Sequence, residues 1–153
     1  MPEYVQNSLQ FHIHELKIVT KAGVSDISSM FEEISIFDSI YKPCIDGKIQ
    51  IYDSIGFSSK LSFDGSEKLI VKLSKSKDDS SFVEFGRSFR IYKQTDKQVV
   101  NQTSERYVLH FVSEEFITSG LTTVNYSYSG SYADAAYNIM INTLGVSPKN
   151  IAL

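Results

Sequence analysis

Between Phe37 and Lys72 short alternating segments are punctuated by polar corners, and this rhythm constrains the fold more than any other stretch of the chain. Asp38-Ser39-Ile40 and Asp53-Ser54-Ile55 bracket one segment, and Asp64-Gly65-Ser66 introduces the next. From Gly47 to Asp53, Ile49 and Ile51 fall on one face while Lys48, Gln50 and Tyr52 fall on the other. Leu69, Val71 and Leu73 share a face in the same way over Lys68 to Leu73. A side-chain period of two, ended by Asp, Gly and Ser, reads as half-buried strands folded back at corners. Ser54 to Leu61 fits a single helical turn with Ile55, Phe57 and Leu61 directed inward.

The flanking segments extend the pattern. Leu9, Phe11 and Ile13 keep period two, and so do Leu16 and Ile18, but on the opposite parity. One extra residue near His14-Glu15 restores a common face, so the first strand, Leu9 to Ile18, is expected to carry a β-bulge or sharp bend. Lys21-Ala22-Gly23 reads as a turn. Ile27, Met30, Phe31 and Ile34 recur at helical spacing, whereas Ile34 and Ile36 fit a strand. The expectation is one long strand over Ile27 to Phe37, with a short helix over Ser28 to Glu33 as the alternative. Ser74 to Ser81 reads as a polar loop. Val83 to Tyr92 and Arg106 to Val112 read as the last strands, separated by a polar loop around Thr95 to Ser104. In the final strand Tyr107, Leu109 and Phe111 form one face while Val108 and Val112 flank His110 on the other. A strand apolar on both faces is expected to be covered on both.

After Gly130 the period changes. Ser131 and Asp134 are spaced as a capping box, and Ala135, Ile139 and Leu144 follow near one stripe with Ala136 and Met140 beside it. Gly145, with Pro148 beyond, stops the helix. The expected fold class is therefore mainly β, an antiparallel β-barrel or sandwich over residues 1–129. An amphipathic helix and linker over 130–153 are read as the start of a following domain that this chain does not contain.

Composition narrows the function classes. An apolar fraction of 42% over 153 residues supplies a core and is too high for a disordered chain. A net charge of −3 offers no concentrated basic surface for nucleic acid, and Asp78-Asp79 ends the Lys68, Lys72, Lys75, Lys77 series at once. The single cysteine, Cys44, cannot make an internal disulfide. No apolar run is long enough for a membrane span, so no membrane insertion is expected. Nine tyrosines, ten phenylalanines and no tryptophan suit sheet rims and interfaces, where a packed ring keeps a wet hydroxyl.

Chemistry-bearing groups are few. His12 and His14 stand two apart on a strand and form a conceivable pair of metal ligands, with His110 or Glu15 as a third. Alternation puts both on the polar face, and two surface histidines is the plainer reading. The pairs Glu32-Glu33, Asp78-Asp79 and Glu114-Glu115 are adjacent in sequence, so along a strand their carboxylates point apart rather than across one site. No phosphate loop, nucleophile elbow, His-Glu-x-x-His or calcium loop is present. Neither an enzyme, a metal site nor a cofactor is expected. A sugar- or protein-binding module, with an aromatic patch such as Tyr41, Tyr52 and Tyr92, is the alternative to a structural role.

Three segments carry a family resemblance: Ile36-Phe37-Asp38-Ser39-Ile40-Tyr41, Gly47-Lys48-Ile49-Gln50-Ile51-Tyr52-Asp53-Ser54, and Asp64-Gly65-Ser66-Glu67-Lys68-Leu69-Ile70. Together they resemble the N-terminal, tail-tube-like domain of the central baseplate hub proteins of T-even-type contractile-tailed bacteriophages. Tyr107 to Glu115 and the step from Tyr128-Ser129-Gly130 into a helix are similar to the later part of the same domains. The resemblance implies a tube-type β-barrel in a virion baseplate, made in the host cytoplasm. Its partners would be copies of itself in a threefold, pseudo-sixfold ring, the tail tube protein and the central spike protein, with DNA passing through the channel. Family members carry two such barrels per subunit, whereas this chain holds one. The interface candidates are Tyr52, Phe57, Tyr92, Val108, Val112, Tyr126 and Tyr128.

Overall fold

The computed structural model of the protein describes residues 11–61, 64–74 and 85–146. Leu9, Val83, Pro148 and residues 75–81 of the expected polar loop lie outside the described residues. Seven strands form one antiparallel sheet: β1 (His12–Thr20), β2 (Gly23–Asp26), β3 (Phe31–Phe37), β4 (Asp46–Asp53), β5 (Lys68–Ser74), β6 (Phe85–Asn101) and β7 (Ser104–Ser113). Their spatial order is β2-β1-β5-β6-β7-β4-β3. A 3-10 turn, Phe57–Lys60, follows β4, and two short helices, α1 (Glu114–Leu121) and α2 (Tyr132–Asn138), follow β7.

The sheet is curled and open. Strands β2 and β3 hold its two edges, yet they are consecutive in the chain. Five Cα steps from Asp26 to Phe31 reach at most about 18 Å, so the two edges must lie within that distance. The crossing is anchored at both ends. Ile27 N–H donates to the Leu16 carbonyl at 3.0 Å, and Tyr52 N–H donates to the Met30 carbonyl at 2.7 Å. Ile27 and Met30 are buried, so the crossing also caps the core. This corrects the expectation of one strand over Ile27 to Phe37. The segment splits at a turn over residues 28–30, and the helical spacing of Ile27, Met30 and Phe31 reflects that turn rather than a helix.

The concave face holds the core. Leu16 and Ile18, Leu69 and Val71, Phe89 and Ile91, Tyr107, Leu109 and Phe111, and Ile49 and Ile51 alternate inward from successive strands. The bulge in β1 falls between Ile13 and Glu15 in the pairing with β5, so His14 is the extra residue that brings Leu16 and Ile18 onto the core face. In β4, Gly47 lies between β3 and β7, where a Cβ would meet the Ser35 carbonyl oxygen and sit 2.5 Å from Phe111 Cζ. Only a residue without a side chain fits there.

Asp53 ends β4 and organises the next corner. Its carboxylate is 1% exposed and accepts backbone N–H groups from Ile55 (3.1 Å), Phe57 (2.9 Å) and Ser58 (2.7 Å). That fixes the 3-10 turn and drives Phe57 and Leu61 into the core. Ile55 points out instead, 65% exposed, because it sits at the tip of the corner.

Two further expectations are corrected. Thr95 to Ser104 is not a loop: β6 runs unbroken to Asn101 and turns at residues 102–103 directly into β7. And the chain after β7 contains two helices, not one. Ser131 Oγ accepts the Asp134 N–H at 3.1 Å and donates to the Asp134 carboxylate at 2.6 Å, so α2 starts at the foreseen cap. It continues as a π turn over Ile139–Thr143, with Gly145 in a left-handed conformation just beyond.

Candidate interaction surface

Arg90, on β6, positions α1. Its guanidinium donates to Glu114, the first residue of α1, from Nε at 3.2 Å and Nη2 at 2.8 Å. It also donates from Nη1 to the carbonyls of Gly65 (3.2 Å) and Ser66 (3.1 Å). Lys68 reaches the same carboxylate at 2.9 Å. The Lys68 ammonium hydrogen bond, and after it those of Arg90, hold the Glu114 carboxyl below its ordinary range despite partial burial. A carboxylate in the first turn of α1 also suits the helix dipole. Ser113 N–H donates to the Ile45 carbonyl at 2.8 Å, which ties the end of β7 to the loop before β4.

These ties leave an apolar groove of about 480 Å³ between that loop, β6 and α1. Pro43, Cys44 and Val112 line it together with Tyr92 from β6 and Phe116 and Ile117 from α1. Its two charged lining residues, Lys42 and Asp46, pair with each other at 3.2 Å. Tyr92 is 56% and Phe116 43% exposed, so ring surface faces solvent on two walls. Ile40 and Tyr41, at the tip of the adjoining loop, are almost fully exposed. Lys42, Pro43 and Cys44 form a ridge shared with a second, more polar cleft of about 520 Å³ that reaches Arg87 and Glu115.

The structure brings two of the sequence candidates, Tyr92 and Val112, into this groove. Val112 is itself buried. Phe57 is a core residue, 2% exposed, and not a surface one. Tyr52 and Val108 lie elsewhere, half-buried on the convex face of β4 and β7, where the Arg106 guanidinium sits 5.9 Å from the Tyr52 ring centroid. Tyr126 and Tyr128 are exposed on the segment between the helices. Phe116 and Ile117 went unforeseen, because α1 follows a strand without a break and opens on Glu114-Glu115. A pair of apolar residues after two acidic ones at a strand end was the available signal.

The other groups singled out from sequence are engaged separately. His14 Nε2 lies 2.5 Å from Ser74 Oγ, with the His12 ring edge-on to the His14 ring at 5.2 Å. His110 Nε2 lies 2.8 Å from Thr95 Oγ1 on the neighbouring strand β6, three strands away from His14 in the sheet. Glu32 takes a bidentate pair from Arg106 and a bond from Gln50. Among the described residues, no three His, Cys, Asp or Glu side chains converge as a metal-binding group. No helix among them is long and apolar enough to cross a membrane.

Fold and surface together define a class: a mainly-β domain with a curled, open seven-stranded sheet and an apolar groove under a short helix. No protein-family model matches the chain, and no curated protein matches it.

Proposed function

We propose that this chain is a protein-binding β module, a structural subunit of a larger assembly, which docks through the groove between Tyr92, Val112, Phe116 and Ile117. The observation that carries this reading is the groove's lining: aromatic and aliphatic walls whose only charges, among the described residues, are already paired with each other. Sugar binding needs convergent hydrogen-bonding groups beside an aromatic platform. Here Lys42 and Asp46 satisfy each other at the rim, so the surface favours an apolar protein anchor.

The particular assembly is a phage baseplate hub. Support for it is the resemblance of Ile36 to Tyr41, Gly47 to Ser54 and Asp64 to Ile70 to hub domains, together with a curled antiparallel sheet of the right general kind. In that reading neighbouring copies cover the free edges of β2 and β3 and complete a tube-like wall. The ring is threefold, joins tail tube to central spike in the virion baseplate, and encloses a channel for DNA. Closure would also hide strand edges that otherwise invite uncontrolled pairing.

Sedimentation velocity of the chain from micromolar to millimolar concentration tests the docking surface. The wild type is expected to sediment increasingly heavier than a monomer, and the double variant Tyr92→Asp, Phe116→Asp to remain monomeric with an unchanged far-UV circular dichroism spectrum. A wild type that is monomeric at every concentration overturns the reading.

A further inference from the structure

Residues 122–146 contain one charged side chain, Asp134, and from Ser113 to Val146 not one residue is buried. Those two facts conflict for a segment left in water. Exposed surface is ordinarily rich in Lys, Glu, Arg and Asp. This stretch instead displays Val124, Tyr126, Tyr128, Tyr132 and Tyr137, with Tyr132 97% exposed. Its helical part is also too short to persist alone. α2 has seven residues and its π turn five, whereas isolated helices below about 12–15 residues are marginal in water. Such a helix exists because something buries its face.

The same chain carries an apolar groove open to solvent. Resting on the protein-docking reading of that groove, we infer that its occupant is α2 of a second copy. Ala133 and Ala136 share one side of α2 with Tyr132 and let the helix approach closely, and that uncharged side, with Asp134 turned away, matches a groove whose described charges are paired with each other. The reach is adequate: residues 122–131 carry no helix or strand, and ten residues can span roughly 33 Å. The area is adequate too. At about 200 Å² per ring, the exposed parts of Tyr92, Phe116, Tyr126, Tyr128, Tyr132 and Tyr137 amount to roughly 700 Å² on each copy. Mutual cover by two copies therefore falls within the roughly 1,200–2,000 Å² of a stable interface. Helix and groove are different surfaces, so two copies close the contact as a reciprocal exchange, each helix in the other's groove.

Cys44, the sole cysteine, lines the groove and makes the test direct. The full chain carrying Ala136→Cys, one turn beyond Tyr132 on the same side of α2, is mixed as isotopically light and heavy protein and oxidised. The expected result is a disulfide between Cys44 and the introduced thiol whose peptides join light to heavy copies. Asn138→Cys, on the opposite side of α2, is expected to link far less. Tyr132→Ser in the unlinked chain is expected to weaken self-association about tenfold, as a central aromatic anchor would, with an unchanged circular dichroism spectrum. A disulfide confined within single copies overturns the inference. So does an Ala136→Cys chain that sediments as an oligomer without forming the link to Cys44, and in that case protein docking stands while the helix loses its place in it. A wild type that never associates overturns both.

Discussion

Replacing Asp53 by alanine removes the acceptor for three backbone N–H groups at once, and the cost can be worked out group by group. Ile55 is exposed, so its N–H passes to water at little loss. The Phe57 N–H is buried with its residue in the core, and an unsatisfied buried donor costs about 1–3 kcal/mol. The half-buried Ser58 N–H adds roughly 1 kcal/mol. Removing a buried carboxylate returns part of its desolvation cost, which leaves a net loss of about 1–3 kcal/mol. For a chain of this length that lowers Tm by roughly 2–12 °C. Asp53→Asn keeps one acceptor oxygen and is expected to lose about half as much. Burial pushes the Asp53 pKa up, but the hydrogen bonds from the Phe57, Ser58 and Ile55 N–H groups, with the nearby Gly56 backbone, together outweigh it, so the folded value lies below the ordinary 3.8. A carboxyl depressed in the folded state contributes its full stability above the unfolded pKa and loses it as pH falls through the folded one. The gap between wild type and Asp53→Ala therefore narrows as pH drops below about 4. Urea denaturation followed by far-UV circular dichroism, repeated across pH, measures it. A variant within about 0.5 kcal/mol of wild type at pH 7 would refute the reasoning.

Gly47→Ala must force its Cβ against the Ser35 carbonyl and the Phe111 ring, and is expected to cost about 1–3 kcal/mol by urea denaturation; wild-type stability would show that β4 does not lie between β3 and β7 in this register. The Tyr107 hydroxyl is fully buried without a hydrogen-bond partner among the described residues, so Tyr107→Phe is expected to be neutral or to stabilise by up to about 1 kcal/mol, and a clear loss of stability would contradict that environment. Glu114→Gln is expected to change global stability by less than about 1 kcal/mol, because the clamp is open to solvent. It should still speed amide exchange over residues 115–121, and in the wild type the clamp fails as pH falls through the depressed Glu114 pKa. Hydrogen bonds from Lys17 and Lys72 hold the Glu15 carboxyl down to about 2, which carboxyl-detected NMR titration can check; a midpoint near 4.5 would mean that neither lysine stays at its place.

Where side-chain period met a buried face, the fold was legible. The parity switch between Ile13 and Leu16 placed the bulge near His14-Glu15, and β4 and β5 read directly because their alternate residues enter the core. Legibility failed where burial did not impose a pattern. From Asp96 to Asn101 β6 is exposed throughout, so nothing in the side chains distinguished a strand from a polar loop. The crossing at Ile27 to Met30 is set by the curl of the whole sheet, which brings the two edges together, and that is a property of distant strands. Half of the groove was legible. Val112 and Tyr92 stood out by their residue types, but α1, which supplies Phe116 and Ile117, follows β7 with no loop, and its N-cap Ser113 makes no capping hydrogen bond. Phe57 misled as a surface candidate because the Asp53 cap that turns it inward acts through backbone N–H groups.

The reactivity of Cys44 tests the central claim most directly, since this thiol lines the groove and no other cysteine competes. With maleimide as the probe, the second-order rate constant is predicted to fall as protein concentration rises through the range where sedimented mass increases. The alkylated chain is predicted to remain monomeric. A rate constant that stays level while the protein associates, or an alkylated chain that assembles like the wild type, would contradict the assignment of this groove as the docking surface.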